Sequence, residues 1–154
     1  MTALVKHADN RNIWLNLDDR FPNPYREEDA QEEIERANAP QSELHYAIAS
    51  NEEAIGGIGL HLQQDVYRRS AEIGFWLGEP FWGQGIATKA VGALTEYAFA
   101  HLDLIRLYAT VFEWNPASAR VLEKSGYVYE GRRRKSVTKD GKTIDELLYA
   151  IVRE

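Results

Sequence analysis

The sequence predicts an α/β protein: a mixed, mostly antiparallel, twisted sheet with helices on its faces. Three observations predict it. From Ser70 to Ala90 the chain reads as strand, glycine-rich turn and helix: Ile73, Phe75 and Leu77 alternate with Glu72, Gly74 and Trp76, and from Ile86 the apolar spacing turns helical. Residues 44–49 and 54–62 form a hairpin pattern around Asn51-Glu52-Glu53. A second strand, 104–113, leads into a strongly punctuated helix and a closing hairpin.

Taken in order, residues 4–20 carry Leu4, Val5, Ala8, Ile13, Trp14 and Leu17 at helical spacing, as two short helices broken near Asp9-Asn10. Phe21-Pro22-Asn23-Pro24-Tyr25 is a rigid loop, because each proline fixes its own φ and pushes its predecessor toward extended backbone. Residues 27–38 form a helix with acids in its first turn and Ala30, Ile34 and Ala37 facing inward. After the hairpin and the polar connector 63–70 come the strand 71–77 and a long helix. That helix carries Ile86, Ala90, Leu94, Tyr97 and His101 on one stripe, with Ala87, Val91 and Ala98 beside it. Strand 104–113 is apolar on both faces, hence central and covered on both sides. Asn115 is an N-cap, Pro116 sits at the first helical position, and Gly126 ends that helix. Residues 127–134 and 144–152 make the last hairpin through Lys139-Asp140-Gly141-Lys142.

With 154 residues, 44% hydrophobic and 27% charged, residues 1–154 read as one domain with a real core. The chain has no cysteine, so disulfides, thiolate metal sites and a cysteine nucleophile are excluded. A net charge of −6 argues against nucleic acid as the main ligand and mildly favours a cationic one. His7, His45, His61 and His101 show no ligand spacing, so no metal is expected. No leader or membrane-length apolar run is apparent, which fits a cytoplasmic protein without a membrane partner.

Gly83 and Gly85 sit where the strand gives way to the helix. Lacking Cβ atoms, they let backbone N–H groups turn toward a ligand and merge with the positive end of the helix, a seat for phosphate. The pattern is not a P-loop, since Gln84 stands where the lysine belongs, nor a dinucleotide fingerprint, since Thr88 replaces the third glycine. Trp82-Gly83-Gln84-Gly85-Ile86-Ala87-Thr88, preceded by Ala71-Glu72-Ile73-Gly74-Phe75-Trp76-Leu77, resembles the acetyl-CoA loop of the GNAT superfamily of N-acetyltransferases, within it the RimJ/RimL-like branch. Asn115, Ser118, Lys124-Ser125-Gly126-Tyr127, Glu130-Gly131-Arg132, Asp145 and the closing Tyr149-Ala150-Ile151-Val152 extend that resemblance over nearly the whole chain.

The resemblance implies a V-shaped cofactor cleft between two central parallel strands. Acetyl-CoA would lie there, its pantetheine on the backbone of Phe75, Trp76 and Leu77. Its pyrophosphate would rest on Gly83, Gln84, Gly85, Ile86, Ala87 and Thr88. Asn115 is fully explained as a helix cap; the family also points an asparagine here at the pantetheine, with Ser118 one turn on. Lys124 is either a surface residue or a phosphate partner, with the surface favoured. Glu72 matches the position of a glutamate base in some members and is otherwise an exposed strand-end carboxylate; burial decides. The tyrosine acid of many members is Leu122 here, leaving Ser118, Tyr127 or solvent to protonate the thiolate. Members also carry a strand before the first helix, and only three residues precede Leu4. Either the start is truncated or the sheet lacks that strand, which would leave an edge open and invite a homodimer.

Neutralising a lysine at pH 7 costs about 4.6 kcal/mol and an α-amine about 1–1.4 kcal/mol, from their ordinary pKa values. A site with one base therefore suits the α-amine of a peptide. A small-molecule amine as acceptor, and an acyl-CoA-binding domain without chemistry, are the rival readings.

Overall fold

The computed structural model describes residues 2–40 and 43–154. Three helices open the chain: α1 (Thr2–Ala8), α2 (Arg11–Trp14) and α3 (Glu27–Asn38). The break between α1 and α2 has a local cause. The Asn10 side chain accepts from the N–H groups of Asn12 and Ile13 and starts a new helix. At α3 the Asp29 carboxylate accepts from the Arg26 N–H at 2.8 Å, and Glu27, Glu28 and Asp29 crowd the dipole's positive end. Its inward face is narrower than the spacing predicts: Ala30 is buried, but Ile34 and Ala37 are exposed. Among the described residues the helix lies along β1 and α1, and most of its later turns are exposed.

Six strands follow: β1 (Glu43–Ala49), β2 (Ala54–Leu62), β3 (Ser70–Leu77), β4 (Arg106–Phe112), β5 (Val128–Lys139) and β6 (Lys142–Val152). Between them lie α4 (Ile86–His101) and α5 (Pro116–Lys124). The sheet order is β1-β2-β3-β4-β6-β5. Every neighbouring pair is antiparallel except β3 and β4, which are parallel and joined through α4. Among the described residues no strand precedes α1.

Consecutive side chains of β3 point to opposite faces, and each face has its own cover. Ile73 and Leu77 pack with Val91, Leu94 and Ala98 of α4, Leu107 and Val111 of β4, and Leu122 of α5 in the main core. Trp76 joins Ala8, Tyr25 and Ala30 in a smaller cluster under α1 and α3. The fully buried Leu60, Leu107, Leu122 and Val91 contribute about 1.5–3 kcal/mol each. The buried stripe of α4 is Val91, Leu94, Thr95 and Ala98; Tyr97 and His101 stay exposed and stack on each other at 4.7 Å. The predicted stripe is thus rotated by about one residue.

β5 runs further than predicted, to Lys139, with register shifts at Tyr129/Gly131 and Arg133/Val137. Asp145 holds the second bulge, accepting from the Lys135 N–H at 2.8 Å and pairing with Arg132 at 3.0 Å. No helix among the described residues is long and apolar enough to cross a membrane. No group of three or more His, Asp or Glu among them is placed to hold a metal.

Candidate active site

The parallel pair β3–β4 is short. Ser70, Ala71 and Glu72 face Arg106, Leu107 and Tyr108, and beyond those three pairs the strands separate. Which backbone groups this uncovers follows from the neighbours. Gly78 donates to Ile55 of β2 at 2.7 Å, so by strand alternation Ile73, Phe75 and Leu77 turn their N–H and C=O groups the other way, into the gap. On the far side Glu113 donates to Asp145, which leaves Thr110 and Phe112 of β4 facing the same gap. The Leu77 carbonyl is taken by the Trp82 indole at 2.7 Å, which ties the following loop to the strand end. The edge of β3 can therefore pair with an extended, amide-bearing ligand as a strand would.

The loop after β3 meets the requirements for approach to phosphate. Gly83 and Gly85 have φ of +74° and +76°, which favours glycine, and a Cβ at either would meet no atom within 4 Å. Gly85 caps α4, whose first helical bond runs from the Lys89 N–H to the Gly85 carbonyl at 3.1 Å. The N–H groups of Ile86, Ala87 and Thr88 thus precede the ladder and are free for an anion at the positive helix end.

A cavity of about 360 Å³ lies along these features, lined by Phe75, Trp76, Leu77, Gly83, Gly85, Ile86, Ala87, Thr88, Asn115 and Ser118. Of the residues assigned to the cofactor from the sequence, Gln84 alone does not line it. Its side-chain amide turns back to the Pro80 carbonyl at 3.3 Å. Arg120 and Lys124, one turn apart on α5, line the wall, and neither has an ion pair among the described residues. Lys124 is exposed, as the surface reading has it, and its side chain also lines this cavity.

A second cavity, of about 480 Å³, adjoins the first, and Asn16, Leu17, Phe75, Asn115 and Ser118 line both. Asn115 caps α5 and does more: its Nδ2 donates to Ser118 Oγ at 2.9 Å while its Oδ1 accepts from the Ser118 N–H at 3.3 Å. The Ser118 hydroxyl proton is left to point elsewhere, at the junction of the two cavities. Glu72 stands in the second cavity. Burial raises its carboxyl above the ordinary value; the charge of His61 opposes this and that of Glu146 adds to it. Glu72 has no hydrogen bond or ion pair among the described residues.

Residues 3–128 match the Acetyltransferase (GNAT) domain family. The chain belongs to the GNAT family. Among its relatives, Uncharacterized N-acetyltransferase YoaA of Bacillus subtilis is 38% identical over 66% of this chain and 56% of its own length. Probable N-acetyltransferase YjcK of the same organism is 37% identical over 79% of this chain and 66% of its own. The chain thus spans about half to two thirds of the length of these curated relatives. Ribosomal-protein-serine acetyltransferase of Escherichia coli is 29% identical over 77% of this chain and 68% of its own. The fold superposes on RimL, the ribosomal L7/L12 alpha-N-protein acetyltransferase in complex with coenzyme A. There the TM-score is 0.87 at 22% identity, covering 99% of this chain and 88% of that one. It also superposes on spermidine N-acetyltransferase from Vibrio cholerae, with CoA and spermine, at TM-score 0.79 and 23% identity, covering 97% and 88%. At these identities the superpositions establish the GNAT fold.

Within that GNAT fold, Tyr127 does not join the other candidates. It is 3% exposed, its hydroxyl bonded to Thr95 Oγ1 at 2.8 Å, and it lines neither cavity. Burial pushes its phenol up to about 12. The expectation that it serves as an acid fails because its ring packs inward, into the main core.

Residues 18–30 and 134–142 read from the sequence as acceptor-side loops without a readable code, and nothing there singles out Asn16. Asn16, Asp18 and Asp19 of the loop after α2, and Ser136 to Lys139 of β5, wall the second cavity. Lys139 Nζ bonds Asp19 at 2.7 Å and lies 3.8 Å from the Trp14 ring centroid. No local pattern marks a contact across 120 residues.

Proposed function

We propose that this chain transfers the acetyl group of acetyl-CoA to a primary amine, the α-amine of a protein N-terminus being the favoured acceptor. The observation that carries the reading is the junction itself. One cavity ends in the glycine loop, the other holds an unpaired carboxylate, and they meet at Asn115 and Ser118 where β3 and β4 part.

The residues fit the co-substrate. Gly83, Gly85 and the first N–H groups of α4 would hold its pyrophosphate, Phe75 and Leu77 its pantetheine amides, and Arg120 and Lys124 further phosphate charge. Acetyl-CoA, so held, supplies a thioester whose acyl carbon accepts the amine. Glu72 takes the proton from the ammonium, directly or through a water, and frees the nitrogen lone pair. A β3 amide, that of Leu77 or a neighbour, polarises the acyl carbonyl. As the C–N bond forms and the C–S bond breaks, Ser118 is positioned to give its proton to the departing sulfur and to take up the one the amide nitrogen sheds. Holding amine and thioester together supplies much of the acceleration. The α-amine is favoured because one carboxylate suffices to deprotonate it, and the similarity to ribosomal-protein-serine acetyltransferase supports the same choice.

The test is CoA release from acetyl-CoA across peptides with different N-terminal residues, polyamines and aminoglycosides. A thiol reagent reports it cleanly, because the chain has no cysteine. Release with N-terminal peptides supports the reading. Acetyl-CoA binding without release to any acceptor overturns it in favour of a binding domain.

A further inference from the structure

The second cavity has a charge pattern of its own. Four carboxylates line it: Asp18, Asp19, Glu72 and Glu146. Three are matched. Asp18 pairs with Arg20 at 2.8 Å, Glu146 with Arg133 at 3.3 Å, and Asp19 with Lys139 at 2.7 Å. At Asp18, burial works to raise the carboxyl, and the bonds and charge of Arg20, with the charge of Lys139, outweigh it and hold it below its ordinary value. What remains is one negative charge, on Glu72.

Lys139 is the unusual member of this set. It is 2% exposed, among the most buried side chains of the fold, whereas its partner Asp19 is 76% exposed at the cavity rim. A buried ammonium is tolerated only when paired and hydrogen-bonded. Here the carboxylate on one side and the Trp14 ring 3.8 Å away on the other supply that. Its ammonium is also the only cation among the described residues lining this cavity.

We propose that Lys139 sets the charge selectivity of the acceptor site: by neutralising Asp19 it leaves a wall with one uncompensated carboxylate, matched to an amine bearing a single positive charge and unsuited to polyamines. This rests on the acetyltransferase reading for the site's use, but not for its electrostatics. A spermidine-like acceptor carries two further charges and needs two further carboxylates free to meet them. Among the described residues lining this cavity, the others are Asp18, Asp19 and Glu146, each already occupied.

The experiment reads acceptor binding and acetyl transfer separately on the full chain. A peptide with a free N-terminus and neutral side chains is compared with spermidine, by calorimetry in the presence of CoA and by CoA release from acetyl-CoA. The wild-type chain prefers the single-charge peptide. Lys139→Met keeps an apolar chain of similar length on Trp14 and releases Asp19. It raises affinity for spermidine about three- to fivefold, the scale of one added charge at an exposed site, and leaves the peptide's within about twofold. Lys139→Arg keeps the wild-type ranking. Asp19→Asn removes the counter-charge of a buried ammonium, so its melting temperature falls and is read alongside; among folded molecules the uncompensated Lys139 weakens both amines while acetyl-CoA affinity holds. A wild-type chain that binds spermidine as tightly as the peptide overturns the proposal, and so does a spermidine-to-peptide ratio unchanged in Lys139→Met. A chain that ranks the amines as expected yet transfers no acetyl group supports the charge selection and overturns the acetyltransferase reading.

Discussion

Replacing Gly85 by alanine separates backbone strain from ligand exclusion. Gly85 sits at φ +76° with no atom within 4 Å of a would-be Cβ, so the substitution meets no protein neighbour. The cost to the fold is the left-handed backbone alone, about 1–2 kcal/mol. For a chain of 154 residues that lowers the melting temperature by about 2–4 °C per kcal/mol. The new methyl occupies the space a phosphate needs to reach the N–H groups of Ile86 to Thr88. Losing one charge-assisted hydrogen bond there costs about 1.5–3 kcal/mol, or about a ten- to 150-fold rise in the Kd for acetyl-CoA. Valine at the same place abolishes measurable binding. Titration followed by the fluorescence of Trp76 and Trp82, which line the cavity, reads the affinity, and a thermal melt reads the fold. Gly92→Ala is the control: its would-be Cβ is equally unobstructed, but it lies within α4, and alanine there raises helix stability by about 1 kcal/mol with no change in affinity. A Gly85→Ala chain that melts lower yet binds acetyl-CoA within twofold of wild type refutes the phosphate seat.

Glu72→Gln lowers turnover by about 10²-fold or more, the usual scale for a lost general base, and leaves acetyl-CoA affinity unchanged. Because burial raises the Glu72 carboxyl, wild-type activity falls as pH drops through that raised value, and the glutamine chain loses this acid limb. A raised carboxyl favours the folded state when protonated, a contribution present at low pH and lost as pH rises through the raised value. Glu72→Gln therefore melts no lower than wild type at pH 7 and has less to gain on acidification. Tyr127→Phe strands the buried Thr95 hydroxyl and costs about 1–3 kcal/mol of stability, while turnover per folded molecule is unchanged; a collapse in turnover would reinstate Tyr127 as the acid. Arg120→Ala and Lys124→Ala each weaken acetyl-CoA binding a few-fold, and the loss shrinks as salt is added; insensitivity to both changes removes α5 from the phosphate site.

The strand, glycine loop and helix start that line the first cavity are legible in the sequence because they are built from local grammar. A period-2 strand, two glycines with left-handed φ and a helix start occupy one continuous stretch, and Asn115-Pro116 with Gly126 brackets a single helix. Each signal is read within a few residues. The acceptor side is assembled from pieces far apart: the loop after α2, the far end of β5 and one face of β6. Lys139 reads as an ordinary turn-flanking lysine until the fold brings Asp19 and Trp14 to it. Tyr127 shows the converse. Its place after Gly126 follows from the helix stop, but whether the ring turns to the cleft or to the core depends on Thr95, on another element. The inward face of α3 was overcounted because periodicity shows which residues share a side, not how much of that side another layer covers.

The short union of β3 and β4 also bears on how the protein comes apart. β1, β2 and β3 are consecutive in sequence and paired antiparallel in that order; β4, β6 and β5 form the other antiparallel run, with α5 and β5 between β4 and β6 along the chain. Far fewer residue pairs join the two trios than join the strands within either one, and α4 spans the join. The seam between them is thus the line of least cooperativity, and a partial opening that spares most hydrogen bonds runs along it. Because the cleft is that seam, ligand binding is lost when the trios part, well before the secondary structure melts.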